Sequence, residues 1–285
     1  MDNAELLEVY SKGLSSSGKT RTHYLKYAQD FLKYAEGKID KETIEGYLKH
    51  LSGVHKYNDG TINFIFRVIR TMFSRNNIDW PYNRGDSPSI RESSITAPAL
   101  HPELIKKMIR TVKDTGEPDE KAFLALSTTY GLRRVEMIGL KDIDIRLKDK
   151  TIHIATAKHG RERTHIIPEA ILPYLKQYTF SNAMSEFALL GVWYRIEYRV
   201  GLKHTHRVGW HSIRRTLNTM LGKVVSQDSR KGFMRWKQRT SSDMGFRYSA
   251  QTFIGEEGET TEVVGEALTV DQEVFAVHPF LDAWS

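Results

Sequence analysis

Apolar residues recur at the three-to-four-residue spacing of an amphipathic helix through most of this 285-residue chain. Such a pattern buries one face of each helix and leaves the other face polar, so it favours a protein built mainly from packed helices. The length is sufficient for two ordinary domains, each with its own core. Cysteine is absent, which excludes disulfides, thiol catalysis and cysteine-bound zinc.

The first hundred residues predict a small all-helical domain. Helical stripes run through residues 20–37, through 44–53 after the capping residue Asp40, and through 62–77. The polar face of the third stripe carries three arginines: Arg67, Arg70 and Arg75. This face is either an ordinary solvated surface or one that contacts phosphates.

Periodicity disappears between about residue 80 and residue 100. This segment contains three prolines, a glycine and several serines, a composition typical of a linker. We therefore predict a helical domain at 1–82, a linker at 83–100 and a second domain at 101–285.

The second domain changes its period once. Two helical patterns, at 101–116 and 118–131, are followed by the alternating stretches "TIHIATA" and "RTHIIP" around "KHGRE", which predict a β-hairpin. Helical patterns resume at Pro168 and continue to about Arg239. The predicted fold class is therefore mainly α with a small β-hairpin or sheet.

The stretch "GLSSSGKT", Gly13–Thr20, fits a phosphate-binding loop of nucleotide hydrolases. Such a loop requires a buried strand before it, so that backbone amides at the start of the next helix point at the phosphates. The preceding "AELLEVYSKG" is spaced like a short helix. We therefore predict that this stretch binds no nucleotide.

Charge is distributed unevenly along the chain. Residues 1–98, 99–248 and 249–285 carry net charges of +2, +13 and −8. A strongly basic middle segment indicates either a polyanionic partner or only a soluble basic surface. No uncharged apolar run of the ~18 residues that span a membrane occurs, nor does a signal leader, so we expect a cytoplasmic protein without a membrane partner.

Several polar side chains are not required by a helical core. In "TTYGLRRVEMIGL", Glu136 follows Arg133 by three residues and could hold it through a bidentate hydrogen bond. In "HSIRRTLNTML", His211 and Arg214 have the same spacing, and Lys158 lies at the end of a hairpin strand. Surface ion pairs, turn lysines and structural histidines are the ordinary alternatives.

Tyr248 is the only tyrosine after Arg214, in "DMGFRYSAQTF". It is flanked by Gly245 and small polar residues rather than by a helical stripe, so it need not belong to a core.

The order and spacing of these stretches resemble the tyrosine recombinases, or phage integrases. "TTYGLRRVEM" is similar to their first arginine box, "ATAKHGRERTHIIP" to their hairpin lysine motif, and "HSIRR" to their His-x-x-Arg box. The N-terminal helical unit resembles the core-binding domain of the Xer type. The usual Leu-Gly-His before the tyrosine is absent, and Trp236 in "FMRWKQR" stands in for the histidine, as in a divergent member.

This resemblance implies a reaction on a DNA phosphodiester without metal or other cofactor. Arg133 and Arg214 would stabilise charge on the phosphate, and Tyr248 would attack phosphorus to form a 3′-phosphotyrosine. Lys158 would protonate the departing 5′ oxygen, and His211 would help to remove the tyrosine proton.

Two supporting roles and several partners are also implied. Glu136 would orient the arginines, and Trp236 would pack against the phosphate site. The two domains would clamp double-stranded DNA, with four protomers assembled on it and possible host accessory proteins. A type IB topoisomerase and an inactive DNA-binding protein are the alternative functions.

The acidic tail from about residue 250 ends in "HPFLDAWS". Phe280, Leu281 and Trp284 could anchor this tail on a neighbouring protomer, or the tail could be disordered or dock on its own chain.

Overall fold

The computed structural model describes residues 2–14, 18–83, 85–86, 88, 98–155, 161–180, 184–236, 252–254, 260–262 and 265–285. The chain forms two compact units, Met1–Thr96 and Ala97–Ser285. The division falls within the segment expected to link two domains; the functional division at 1–82 and 101–285 stays a prediction.

The first unit is helical, as the sequence predicts. Its helices are α1 (Asn3–Gly13), α2 (Gly18–Ala35), α3 (Lys41–Gly53) and α4 (Asp59–Arg75). The Asp40 side chain caps α3 by accepting a hydrogen bond from the Thr43 amide, as expected. Because α1 is a helix, the strand that a phosphate-binding loop requires does not precede Gly13.

Aromatic packing extends this unit past α4. The Trp80 ring makes edge contacts with Phe66 and Phe73, at centroid distances of 5.4 and 5.1 Å. Tyr82 also packs against Phe66, at 5.8 Å. Residues beyond the last helix therefore belong to this core, although no periodicity marks them. The three arginines of α4 are exposed, as expected: Arg67, Arg70 and Arg75.

The second unit consists of helices around a small antiparallel sheet. Its helices are α5 (Pro102–Thr115), α6 (Pro118–Tyr130), α7 (Arg134–Gly139), α8 (Leu172–Lys176), α9 (Glu186–Val200), α10 (Trp210–Leu221), α11 (Gln227–Phe233), α12 (Gly265–Ala276) and α13 (Leu281–Trp284). Within the described residues, no helix is both long and apolar enough to cross a membrane.

The predicted hairpin is present. Strands β2 (Thr151–Ile154) and β3 (Arg163–Ile166) pair antiparallel, with Ile152 opposite His165. A short strand that the sequence did not predict, β1 (Ile145–Arg146), adds to the other edge of β2. A separate pair, β4 (Thr252–Ile254) and β5 (Thr260–Glu262), was also not predicted.

Helix α6 lies at the centre of this unit. Every residue from Ala122 to Tyr130 is buried, so the helix packs against neighbours on all sides. At its start, the buried Glu120 carboxylate accepts hydrogen bonds from Arg195 and Arg199 of α9, each at 2.9 Å. These pairs balance a charge that would be costly to bury alone.

The C-terminal segment packs on this chain's own second unit. The Trp284 indole Nε1 donates to Thr128 Oγ1 (3.0 Å), and His278 Nε2 contacts the Thr129 carbonyl oxygen (3.0 Å). Phe280 is fully buried in the same core. Of the alternatives that the sequence left open, the structure therefore shows the last described helices of the tail, within residues 265–285, docked on their own chain.

Two buried histidines make the stability of this unit depend on pH. Burial lowers the pKa of His165 and of His278 to about 4, against 6.5 in an exposed histidine. The unfolded chain therefore binds protons at a higher pH than the folded one. The free energy of unfolding should fall as pH decreases from about 6.5 towards 4, by roughly 2 kcal/mol per histidine at pH 5.

Urea unfolding followed by tryptophan fluorescence at pH 7 and pH 5 measures this loss. His278→Asn should reduce the pH dependence, whereas the same change at the exposed His206 should leave it unaltered. Equal pH dependence in all three proteins would contradict the prediction.

Candidate active site

Gly131 allows α6 to end against α10. Its φ of 56° lies in the left-handed region that favours glycine, and a Cβ there would lie 3.1 Å from Met234 and 3.2 Å from Leu217. The turn directs the Gly131 carbonyl oxygen to Arg214 Nη1, which donates a hydrogen bond to it. Arg214 Nη2 donates to the Met234 carbonyl oxygen at 2.8 Å, so this guanidinium is held at both ends.

Glu136 holds Arg133 in a different way from the one predicted. Arg133 lies just before α7, and its Nη1 donates to Glu136 Oε1 at 2.5 Å. The second oxygen, Oε2, accepts from the Arg133 backbone N–H at 2.8 Å instead of from the guanidinium. The predicted bidentate pair is therefore wrong, because Glu136 also caps the helix.

Arg235 is a member of this cluster that the sequence did not indicate. Its side chain is fully buried, and Nη2 donates to Glu136 Oε2 at 3.1 Å. Both terminal nitrogens also donate to the Tyr130 carbonyl oxygen, at 3.3 and 3.2 Å. In "FMRWKQR" this arginine looks like any surface arginine, so the sequence carried no signal of its burial.

Arg214 is buried close to other positively charged side chains. Arg214 is only 4% exposed. Burial lowers its pKa to about 9, and the charges of Arg235 and Arg133 act in the same direction, against Glu136. Burial would raise the pKa of Glu136, but its arginine neighbours outweigh that effect and lower it.

His211 lies in the first turn of α10, one helical turn before Arg214. Its side chain is exposed. Partial loss of hydration lowers its pKa, and the positive charges of Arg215, Arg214 and Arg133 lower it further. It is therefore a neutral imidazole at neutral pH, within the field of the arginines.

The structure thus brings together four of the seven predicted site residues: Arg133, Glu136, His211 and Arg214. Trp236 follows Arg235 directly and packs in part against the core of the unit. Lys158 and Tyr248 lie outside the described residues. Their roles stay predictions.

The sequence of this unit matches a known family. Residues 98–240 match the phage integrase family, which is just over half of the chain. Tyrosine recombinase XerA of Thermococcus kodakarensis is 25% identical over 234 residues, covering 76% of this chain and 81% of its own. XerA of Pyrococcus furiosus is 26% identical over 178 residues, covering 61% of this chain and 60% of its own.

The fold is also that of solved integrases. The Tn1549 transposon integrase in complex with transposon right end DNA gives a TM-score of 0.67 at 13% identity, covering 88% of this chain and 95% of that one. A lambda integrase tetramer bound to a Holliday junction gives 0.63 at 15% identity, covering 85% of this chain and 76% of that one.

The protein therefore belongs to the phage integrase family. It is a divergent tyrosine recombinase, an enzyme of site-specific DNA recombination. Nothing in these comparisons favours the topoisomerase or the inactive DNA-binding protein.

Replacing Glu136 by Gln tests how the cluster is held together. Gln keeps the shape but not the charge, which leaves the buried Arg235 without its counter-charge. We expect the free energy of unfolding to fall by about 3 kcal/mol, as when one partner of a buried ion pair is removed.

The exposed pair Glu103–Lys106 has the same i, i+3 spacing, at 2.9 Å, and supplies the control. Glu103→Gln should leave the urea midpoint almost unchanged. Similar midpoints for the two variants would mean that Glu136 does not hold the cluster.

Proposed function

We propose that the protein cleaves and rejoins strands of double-stranded DNA through a 3′-phosphotyrosine formed by Tyr248. The observation that carries this proposal is the guanidinium cluster. Arg133 and Arg235 donate hydrogen bonds to the carboxylate of Glu136, and Arg214 interacts with that carboxylate and with both arginines electrostatically. Positive charge therefore exceeds negative charge at the end of α6.

A bound phosphodiester would relieve this imbalance. Burial lowers the pKa of Arg214, and repulsion from Arg235 and Arg133 lowers it further. The negative charge of the phosphodiester would offset that repulsion. Attack on phosphorus adds further charge to the oxygens, and guanidinium donors held in place stabilise that charge without having to reorganise. This chemistry supports Arg133 and Arg214 as the phosphate-binding residues.

The remaining steps are proton transfers. Tyr248 must lose its proton before it attacks, and a neutral His211 can help to remove it. Lys158 would donate a proton to the 5′ oxygen as the strand breaks. Trp236 would pack at the phosphate site, with its indole N–H available as a donor. The reaction as proposed uses no metal and no other cofactor.

The proposed substrate is duplex DNA bound by several copies of this chain. The structural relatives include an integrase in complex with transposon DNA and a lambda integrase tetramer on a Holliday junction. The exposed arginines of α4 give the first unit a basic face suited to the DNA backbone. We propose that the two units clamp the duplex and that four protomers assemble on it. Accessory proteins and a cytoplasmic location stay predictions.

A nicked suicide duplex in EDTA and without ATP tests the nucleophile. Cleavage releases a short 5′-hydroxyl fragment, so religation fails and a covalent protein–DNA band should accumulate. Tyr248→Phe should abolish the band. Tyr198, a tyrosine of α9 that is 90% exposed, gives the matched control, and Tyr198→Phe should form the adduct at the rate of the unaltered protein. An adduct that persists in Tyr248→Phe would refute the assignment.

The pH dependence of the rate of adduct formation should also report the protonation state of His211. Because the pKa of His211 is lowered, its neutral form persists as pH falls below 6.5, and the rate should be lost only below that pH. Arg215→Gln removes one of the positive charges responsible, so the midpoint should move upwards, towards 6.5.

Single-turnover rates between pH 5 and pH 8 measure this midpoint. Arg110→Gln, on α5, removes the same charge elsewhere in the unit and should not move it. A midpoint above 6.5, or one that Arg215→Gln leaves in place, would exclude His211 as the base.

A further inference from the structure

A chain of buried hydrogen bonds connects α12 to the arginine cluster. Asp271 Oδ1 lies 3.0 Å from His165 Nδ1, and His165 Nε2 lies 3.2 Å from Arg235 Nη1. Arg235 in turn donates to Glu136, which holds Arg133. The side chains of Asp271, His165, Arg235 and Glu136 are almost entirely inaccessible to solvent. We call these four residues the buried relay.

The two neighbours of His165 dictate its tautomer. A carboxylate only accepts hydrogen bonds, so Nδ1 of His165 must carry a proton towards Asp271. A guanidinium only donates, so Nε2 must be free of a proton to accept from Arg235. Both conditions are met by the neutral ring with its proton on Nδ1, and by no other form.

The surroundings keep this ring neutral. Burial lowers the pKa of His165 to about 4, although Asp271 opposes the shift, and the positive charges of Arg235 and Arg163 reinforce it. The rings of Tyr130 and Phe233 cover its sides, at centroid distances of 5.3 and 5.2 Å. The tautomer is therefore set by the hydrogen bonds of the relay and not by solvent pH.

Asp271 is itself fixed by three donors. In addition to His165, its Oδ2 accepts from the Ile166 backbone N–H at 2.8 Å, and Oδ1 accepts from Arg163 at 3.3 Å. All three donors belong to β3, so α12 contributes one carboxylate to a site otherwise built by the strand.

Arg235 has a backbone conformation and a buried charge that both cost free energy. Its φ of 58° is left-handed, a conformation that costs a non-glycine residue about 1 kcal/mol or more. Its guanidinium is fully buried. Its hydrogen bonds must therefore compensate for both the left-handed backbone and the loss of hydration. Since Trp236 is the next residue, the position of Arg235 also determines the backbone position of Trp236.

We propose that Asp271 and His165 are positioning residues: Asp271 holds His165 as the Nδ1–H tautomer, so that Nε2 anchors Arg235 and, through Glu136, orients Arg133. The proposal rests on the proposed function in that Arg133 binds the reacting phosphate. It makes strand cleavage depend on a carboxylate 138 residues away from Arg133 in the sequence.

Two substitutions of His165 separate the two halves of its role. In His165→Asn, the amide nitrogen can still donate to Asp271, but nothing reaches Arg235. In His165→Gln, the longer side chain can place an amide oxygen near Arg235, and no tautomer has to be set. Both variants lose the ring, so a purely structural role predicts equal effects.

The relay predicts unequal effects on cleavage of the suicide duplex. At saturating DNA, His165→Asn should cleave about tenfold or more slowly, because small displacements of a catalytic group are costly. His165→Gln should cleave within a few fold of the unaltered protein. DNA affinity and the urea midpoint, measured in parallel, should be similar in the two variants. Equal rates, or a slower His165→Gln, would overturn the proposal.

The tautomer can be measured without any reaction. Long-range ¹H–¹⁵N spectra of protein labelled at histidine should show His165 with a protonated Nδ1 and an unprotonated Nε2 at pH 7. Asp271→Ala should change this pattern, whereas Glu273→Ala, an exposed acidic residue on the same helix, should not. A proton on Nε2 in the unaltered protein would refute the relay even if cleavage failed for other reasons. Absence of cleavage with the expected tautomer would instead count against the proposed function.

Discussion

The arginine cluster at the candidate active site depends on the hydrogen bonds that the Glu136 carboxylate accepts. This carboxylate accepts hydrogen bonds from Arg133 and Arg235, and its charge also acts on Arg214. Without it, Arg235 would be a buried and unpaired cation, which is among the costliest defects a protein can contain. With it, three guanidiniums can be gathered where their charges add. The remaining positive charge is not neutralised within the protein, so it can attract a negatively charged ligand.

Four consecutive residues at the end of α6 connect the rest of the unit to this carboxylate. Thr128 accepts from Trp284, and Thr129 contacts His278. Tyr130 accepts from Arg235, and Gly131 accepts from Arg214. The C-terminal segment and helix α10 are therefore both held by adjacent residues where α6 ends. Because that helix is packed on all sides, a shift of one bonded segment should also displace the others.

Local features of the sequence predicted most of the fold and part of the site. Helical spacing predicted helices as far as about Arg239 but not α12 and α13, alternation located the hairpin, and Gly131 marked the end of α6. The i, i+3 spacing connected Glu136 with Arg133, although it gave the wrong donor for the second oxygen, which accepts from the Arg133 backbone N–H and not from the guanidinium. What could not be predicted depends on tertiary contacts. Nothing near Arg235, His165 or Asp271 distinguishes them from surface residues, since each acquires its role only from partners about 70 to 106 positions away. The short strand β1 likewise exists only because β2 offers it an edge.

The separation of these contacts along the chain has a consequence for how the molecule folds. Asp271 meets His165 across 106 positions, and Trp284 meets Thr128 across 156. The entropy of closing such loops must be lost before the contacts can compensate for it, whereas helices and the β2–β3 hairpin form from near neighbours. The polypeptide should therefore collapse around its local elements first and dock α12 and α13 late. In that order of events, a nascent molecule holds its secondary structure well before Asp271 reaches His165, and the buried relay is completed only as the last large loop closes.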